Sequence, residues 1–221
     1  MKTVALAWRY VRSRPLAAAL NVLLLALGIA SINFLLLVQY QVRQSFERDL
    51  RGIDVVVGAK GSPLQLILAG VFHIDVPSGN IPLAQIRELE KNPLVKKLIP
   101  ISLGDSLAGF RIVGTSPDYI SHYSASIGQG QTWTAPLQAV AGYSAMQNLQ
   151  ASRQLQIGQD FVGSHGLGAK GDLHGESPYK LVGVLAKCDC VLDRLILTST
   201  ESVWKTHEKA TALDEEDQKI T

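Results

Sequence analysis

From Leu16 to Val38 the chain runs through 23 residues dominated by apolar side chains, LAAALNVLLLALGIASINFLLLV, and no charge falls from Pro15 to Gln41. A helix of that length, at a rise of ~1.5 Å per residue, crosses a hydrocarbon core of ~30 Å with some tilt. The run exceeds the ~7–15 apolar residues of a cleaved signal peptide. The following Gln39-Tyr40-Gln41-Val42-Arg43 offers no small-residue cleavage site. The pattern therefore predicts an uncleaved transmembrane helix over 16–38. Asn21, Ser31 and Asn33 interrupt it. Ser31 can bond its own helix backbone. Asn21 and Asn33 suit hydrogen bonds to other membrane helices, and Gly28 and Ala30 permit close approach. A helix alone in lipid has little use for these groups, so the pattern leans towards partner helices.

On either side the pattern changes to helical amphipathicity. Residues 2–13 place Trp8 and Tyr10 among basic residues. They read either as a short helix lying in the membrane interface or as the first turns of the spanning helix, and Pro15 favours a break between the two. Beyond the span, Val42, Phe46, Leu50 and Ile53 recur at spacings of four, four and three, one face of a helix. The spanning helix is expected to continue as a stalk over 39–52, ending near Gly52, with Val42, Phe46 and Leu50 forming a seam against a partner helix. Lys2, Arg9, Arg12 and Arg14 precede the span without an acidic residue, while Arg43, Arg48 and Arg51 follow it mixed with Glu47, Asp49 and Asp54. The bias of four against three, plus the amino terminus, places residues 1–15 in the cytoplasm and residues from about 40 outside.

Residues 53–205 read as a mixed α/β domain, so the fold class expected is α+β behind one membrane helix. Ile53 to Val57 is a short β-branched run. Pro63 to Phe72 is helical, and Pro82 opens a helix carrying Leu83, Ile86 and Leu89 that Asn92-Pro93 ends. Val95 to Ser102 and Leu107 to Gly114 flank Gly104-Asp105 as a hairpin turn. Gln138 to Gly142 is a strand and Tyr143 to Leu155 a helix. Tyr179 to Leu185 and Arg194 to Thr198 are strands. Thr198 to Glu201 has capping-box spacing and starts a last helix through Lys205. Residues 115–135 and 163–178, rich in Gly, Ser, Thr and Gln, read as long surface loops. The segment 206–221 is a polar, acidic tail.

Composition fits one span on an ordinary domain. Charged residues are 18% of the 221 and hydrophobic ones 47%, with a mean hydropathy of +0.15. A net charge of +2 implies no broad basic field for nucleic acid. Gly166 to Gly171 matches the dinucleotide fingerprint, but Asp172 to Pro178 will not start the helix that pyrophosphate binding needs. Gly58-Ala59-Lys60-Gly61-Ser62 lacks phosphate-loop spacing, and its Gly-Ala-Lys-Gly recurs at 168–171, where both copies can serve as turns. The five histidines (His73, His122, His165, His174 and His207) have no metal-ligand spacing. His73-Ile74-Asp75 could orient an imidazole, although a lone loop histidine is more often structural. Cys188-Asp189-Cys190 reads chiefly as two reduced or externally paired thiols, because a disulfide between positions i and i+2 is strained. Nothing here calls for a cofactor, a metal or a catalytic constellation.

The order of the strings resembles a known family. Ala7-Trp8-Arg9 precedes the span. Asp54 to Pro63 reads DVVVGAKGSP and His73 to Leu83 reads HIDVPSGNIPL. Ile112 to Tyr119, Leu155 to Gln159, Leu181 to Leu185 and Leu192-Asp193-Arg194 follow. Together these look like the permease subunit of FtsX/MacB-type ABC transporters. The resemblance implies a periplasmic domain of two α/β lobes between the first two of four membrane helices. It also implies a permease dimer in a bacterial inner membrane, a separate cytoplasmic ATPase, and room for a periplasmic or outer-membrane partner besides membrane lipid. Gly58, Lys60, Gly61, Ser62, Pro63, His73 and Asp75 are the residues that carry the family-like periplasmic motif. Since the chain stops at Thr221 with one span, it reads as the N-terminal part of such a permease. Cys188-Asp189-Cys190 departs from the small Gly/Thr-rich turn such permeases tend to have there. The function implied is coupling of ATP hydrolysis to motion of the outer domain for export or extraction of a substrate. The alternative is a single-span anchored scaffold or binding protein, and an anchored enzyme is disfavoured by the missing constellation.

Overall fold

The computed structural model describes residues 2–164 and 177–206. The fingerprint at 166–171, His165, His174, His207 and the tail beyond Thr206 lie outside the described residues. The chain forms two compact units, residues 1–48 and 49–221.

The first unit is two helices, α1 (Lys2–Ser13) and α2 (Pro15–Asp49). Arg14 is the break between them. Proline at the first position of α2 gives up no hydrogen bond there, because helix-start N–H groups have no partner in any case. The 35 residues of α2 extend about 53 Å at ~1.5 Å each, and the helix is long and apolar enough to cross a bilayer. It ends at Asp49, earlier than the stalk expected to Gly52. A turn follows, with Ile53 N–H donating to the Leu50 carbonyl, and Gly52 takes a φ of +77°. Leu50 therefore lies outside the helix that carries Val42 and Phe46.

The second unit is built on a mixed sheet with strand order β1-β2-β7-β4-β6-β3. Its strands are β1 (Ser102–Leu107), β2 (Phe110–Thr115), β3 (Ile127–Gly130), β4 (Gln138–Ala141), β5 (Asp160–Phe161), β6 (Tyr179–Leu185) and β7 (Leu195–Ser199). Parallel pairs β2/β7 and β4/β6 alternate with antiparallel pairs. Strand β6 holds β4 along one edge and both β5 and β3 along the other. Alternate residues of the central strands fill two cores. Ile112, Ala139, Ala141 and Ile196 face α6 (Tyr143–Arg153) through Met146 and Leu149. Val113, Val140, Leu195 and Leu197 face α5 (Asp118–His122) and the 3₁₀ turn Val191–Arg194. Burial on both faces is why Leu195-Ile196-Leu197 reads as an uninterrupted apolar run.

Several expectations are corrected. The hairpin turn is Ala108-Gly109, both at positive φ (51° and 86°), the mirror-type turn that two-residue hairpins favour. Gly104-Asp105 lies inside β1, where the ladder shifts register between Leu103 and Ser106. Ile53 to Val57 forms no strand and leaves Val55 and Val57 exposed, since β-branched residues without a partner strand have no ladder to join. The polar stretch 115–135 is no simple loop: it contains α5 and β3, pinned by buried Tyr119, Ile120 and Trp133. The last helical stretch, 200–206, is capped by Ser199, whose Oγ accepts the Ser202 N–H at 3.2 Å. Thr198 instead donates to the Gln138 carbonyl on β4 at 2.7 Å. Helices α3 (Pro63–Gly70) and α4 (Leu83–Glu90) precede the sheet, and the described residues 53–100 give it no strand.

Candidate functional site

Asp49 is the last residue of α2 and the first of the sheet-bearing unit. It is only 5% exposed. Its Oδ1 accepts the Val191 backbone N–H at 3.0 Å, and its carbonyl accepts the Tyr123 hydroxyl at 2.8 Å. Arg194 lies 3.7 Å from Oδ2. The arginine is 57% exposed, so that ion pair adds little. The buried hydrogen bond to a carboxylate is the larger contribution, about 1.5–3 kcal/mol.

From Tyr123 a buried polar column continues. Tyr119 and Tyr123, one turn apart on α5 and its cap, stack edge to face at 5.4 Å, and their hydroxyls interact. The Tyr119 hydroxyl lies 2.8 Å from His73 Nε2. Tyr123 donates to the Asp49 carbonyl, and the imidazole tautomer decides which way the His73–Tyr119 contact is donated. Burial, with a smaller contribution from the Arg111 guanidinium, lowers the His73 pKa from 6.5 to about 3. The imidazole is therefore neutral at physiological pH. Burial likewise raises Tyr119 well above 10 and Tyr123 to about 12. His73, Tyr119 and Tyr123 thus keep the same protonation state across neutral pH.

The turn that presents Val191 is braced twice. Asp193 accepts the N–H groups of Cys188 at 3.1 Å and Asp189 at 2.8 Å. Cys188 and Cys190 form a disulfide, which corrects the expectation of reduced or externally paired thiols. The turn places Asp189 at a φ of +55°, and with its Cα atoms 5.2 Å apart the pair is within bridging range.

The motif residues occupy the segment around α3. Ser62 is the N-cap residue and Pro63 the first helical position, with the Leu66 N–H donating to the Ser62 carbonyl. A Cβ on Gly58 would meet Leu66, and one on Gly61 would meet Ser78. Ser78 donates to Gln65 Oε1, and Gln65 donates to the Val76 carbonyl at 2.9 Å. The glycines thus let the 58–61 turn close against the 76–78 segment. Lys60 is exposed and lines an open groove of about 520 Å³ with Asn80, Gln85 and Glu88. His73 does not face Asp75. Asp75 accepts the Val76 N–H, and its carbonyl accepts Arg111 Nη2 at 3.2 Å. Burial lowers the Arg111 pKa.

On α2, Ser31 donates to the Leu27 carbonyl and Asn33 to the Ile29 carbonyl. Asn33 thus bonds its own helix, as Ser31 was expected to. Asn21 is exposed, and a Cβ on Gly28 would meet open space. Val42 and Phe46 are half exposed on α2. Among the described residues no group of three metal-ligating side chains converges.

Sequence reading missed Asp49, Tyr119, Tyr123 and Asp193. One signal was present: Asp49 is an acidic residue on the otherwise apolar face of a helix end, four positions before Ile53. Its partner at position 191 is invisible to any local window.

The family model of the MacB-like periplasmic core domain matches residues 18–215. Among solved structures, the periplasmic region of MacB from Actinobacillus actinomycetemcomitans is similar at 15% identity and a TM-score of 0.41. The match covers 56% of this chain and 57% of that one. No curated protein matches the chain.

Proposed function

The chain belongs to the family of MacB-like periplasmic core domains, and on that premise we propose that it works as the membrane permease subunit of an FtsX/MacB-type ABC transporter. ATP is hydrolysed on a separate cytoplasmic subunit, and α2 carries the resulting motion of the membrane segment to the periplasmic domain. The N-terminus is cytoplasmic, the sheet-bearing unit periplasmic, and two copies act together in the inner membrane. The output is export or extraction of a substrate.

The observation that carries this reading is the bonding of Asp49. A helix transmits displacement only if its end is fixed in what it moves, and the last residue of α2 is held by Val191 and Tyr123 from two different elements. Phe46, one turn before it on α2, is the seam position, where a charge would disrupt packing against a partner helix. The test is substrate- or partner-stimulated ATP hydrolysis by the permease with its ATPase in lipid nanodiscs. Phe46→Asp is expected to abolish the stimulation while leaving the complex assembled. Unchanged stimulation refutes the transmission role of the stalk.

A further inference from the structure

Within the first unit, an open, shallow apolar trough lies between α1 and α2. Trp8 and Val11 of α1 form one wall, and Ala19, Val22 and Leu23 of α2 form the other. The small side chains at Ala18, Ala19 and Ala26 keep it open, giving a volume of about 740 Å³. Among its lining residues the only charged one is Arg12. Its neighbour Arg14 lies 5.8 Å over the Tyr10 ring, so Arg12 is the cation the trough itself presents. No acidic residue occurs before Glu47, so nothing in this part of the sequence competes for that charge. An apolar slot with one guanidinium in its lining, at the start of a helix fit to span a bilayer, matches one ligand chemistry: a hydrocarbon tail joined to an anionic phosphate.

We propose that this trough is a binding site for an anionic glycerophospholipid, with an acyl chain lying between Trp8 and Val22 and the phosphodiester on Arg12. The guanidinium is suited to the task because its planar donor fork pairs with two phosphate oxygens at once. The site rests on the reading that α2 spans the membrane with its N-terminus at the anionic cytoplasmic leaflet. It goes beyond that reading by assigning the lipid class and the residues that hold it.

The test uses the full chain in phosphatidylcholine nanodiscs containing a minor fraction of acyl-brominated lipid, either phosphatidylglycerol or phosphatidylcholine. Bromine quenches nearby tryptophan, and the Trp8 contribution is isolated by difference from Trp8→Phe. Brominated phosphatidylglycerol is expected to quench Trp8 about fivefold more effectively than brominated phosphatidylcholine at equal content, the preference of about one basic side chain at an anionic surface. Arg12→Gln is expected to bring the two lipids to parity. Ala19→Leu, which fills the trough without changing charge, is expected to weaken quenching by both. Equal quenching by the two lipids in the unmodified chain means bulk lipid only and overturns the proposal, as does a preference that survives both variants. Absence of quenching in a chain that resists alkaline extraction means that protein covers the trough, and also overturns it. Release of the chain by alkali refutes the spanning reading instead, and the site falls with it.

Discussion

Asp49 and Val191 stand 142 positions apart in sequence, yet the aspartate Oδ1 accepts the valine N–H at 3.0 Å in a buried setting. Replacing the carboxylate separates its two roles. Asp49→Asn keeps an oxygen for Val191 and weakens the attraction to a largely exposed Arg194, so a cost of about 1 kcal/mol is expected. Asp49→Ala leaves the Val191 N–H unpaired in the core and should cost about 2–3 kcal/mol. Urea unfolding of the full chain in detergent, followed by fluorescence of buried Trp133, measures both. Equal losses for the two variants would show that the ion pair dominates.

His73 gives the domain a defined acid sensitivity. Its pKa is about 3 in the fold against 6.5 in an unfolded chain. Between those values the unfolded state binds a proton that the native state refuses, so unfolding becomes easier as pH falls from 6.5 towards 3. The expected slope is about 1.4 kcal/mol per pH unit well inside the window. Above pH 6.5 the contribution is constant. His73→Asn tolerates the left-handed backbone at this position, where φ is 55°, and removes the titration. It should be less stable at pH 7, having lost the Tyr119 contact, and should show a flatter stability profile between pH 4 and 6. An unchanged slope in the variant would assign the acid sensitivity to other groups.

The parts of this architecture that could be read from sequence are those whose signal is local. Tyr179 to Leu185 was delimited as the strand it is, because β-branched and aliphatic residues run there between a proline and a lysine. The helix break at Pro15 was legible for the same reason: proline imposes its geometry on its own neighbours. The hairpin was misplaced because Gly104-Asp105 looks as turn-prone as Ala108-Gly109, and only cross-strand register decides between them. The buried column from His73 to Asp49 was not legible. Asp49 and His73 lie in segments far in sequence from α5 and its cap, which carry both tyrosines, and sequence spacing carries no trace of which hydroxyl meets which imidazole. The Cys188–Cys190 pairing is not legible from spacing alone, because the turn that brings the two together is held by Asp193 from outside the loop.

Two braces act on the 188–193 turn, and they should differ in strength. Closing a ring this small removes little freedom from the unfolded chain, so Cys188→Ser with Cys190→Ser should cost only about 1.5 kcal/mol. Asp193 is buried and accepts two backbone N–H groups. Asp193→Ala strands both donors and should cost about 2–4 kcal/mol. Thermal melts with and without a dithiol reductant provide the check. Reduction should lower the midpoint of the unmodified chain by less than the Asp193→Ala substitution does, and should leave the double-serine chain unaffected. A larger effect of reduction would make the disulfide the principal brace.

Gly61 and Ser78 offer a test of the motif segment that separates crowding from loss of flexibility. A Cβ on Gly61 would collide with the Cβ of Ser78 as well as its hydroxyl, so rotating the exposed serine side chain is not enough and its backbone must shift. Gly61→Ala should therefore cost about 1–3 kcal/mol through displacement of the 76–78 segment. Ser78→Gly alone gives up the hydrogen bond to Gln65 and some backbone rigidity, with an expected loss of about 1 kcal/mol. In combination the collision is gone, so the double variant should be more stable than Gly61→Ala alone, although Ser78→Gly is destabilising by itself. A double-mutant cycle of urea midpoints measures this coupling. Simple additivity would mean that the alanine acts through the backbone of the 58–61 turn, and that close approach to Ser78 is not why glycine occupies position 61.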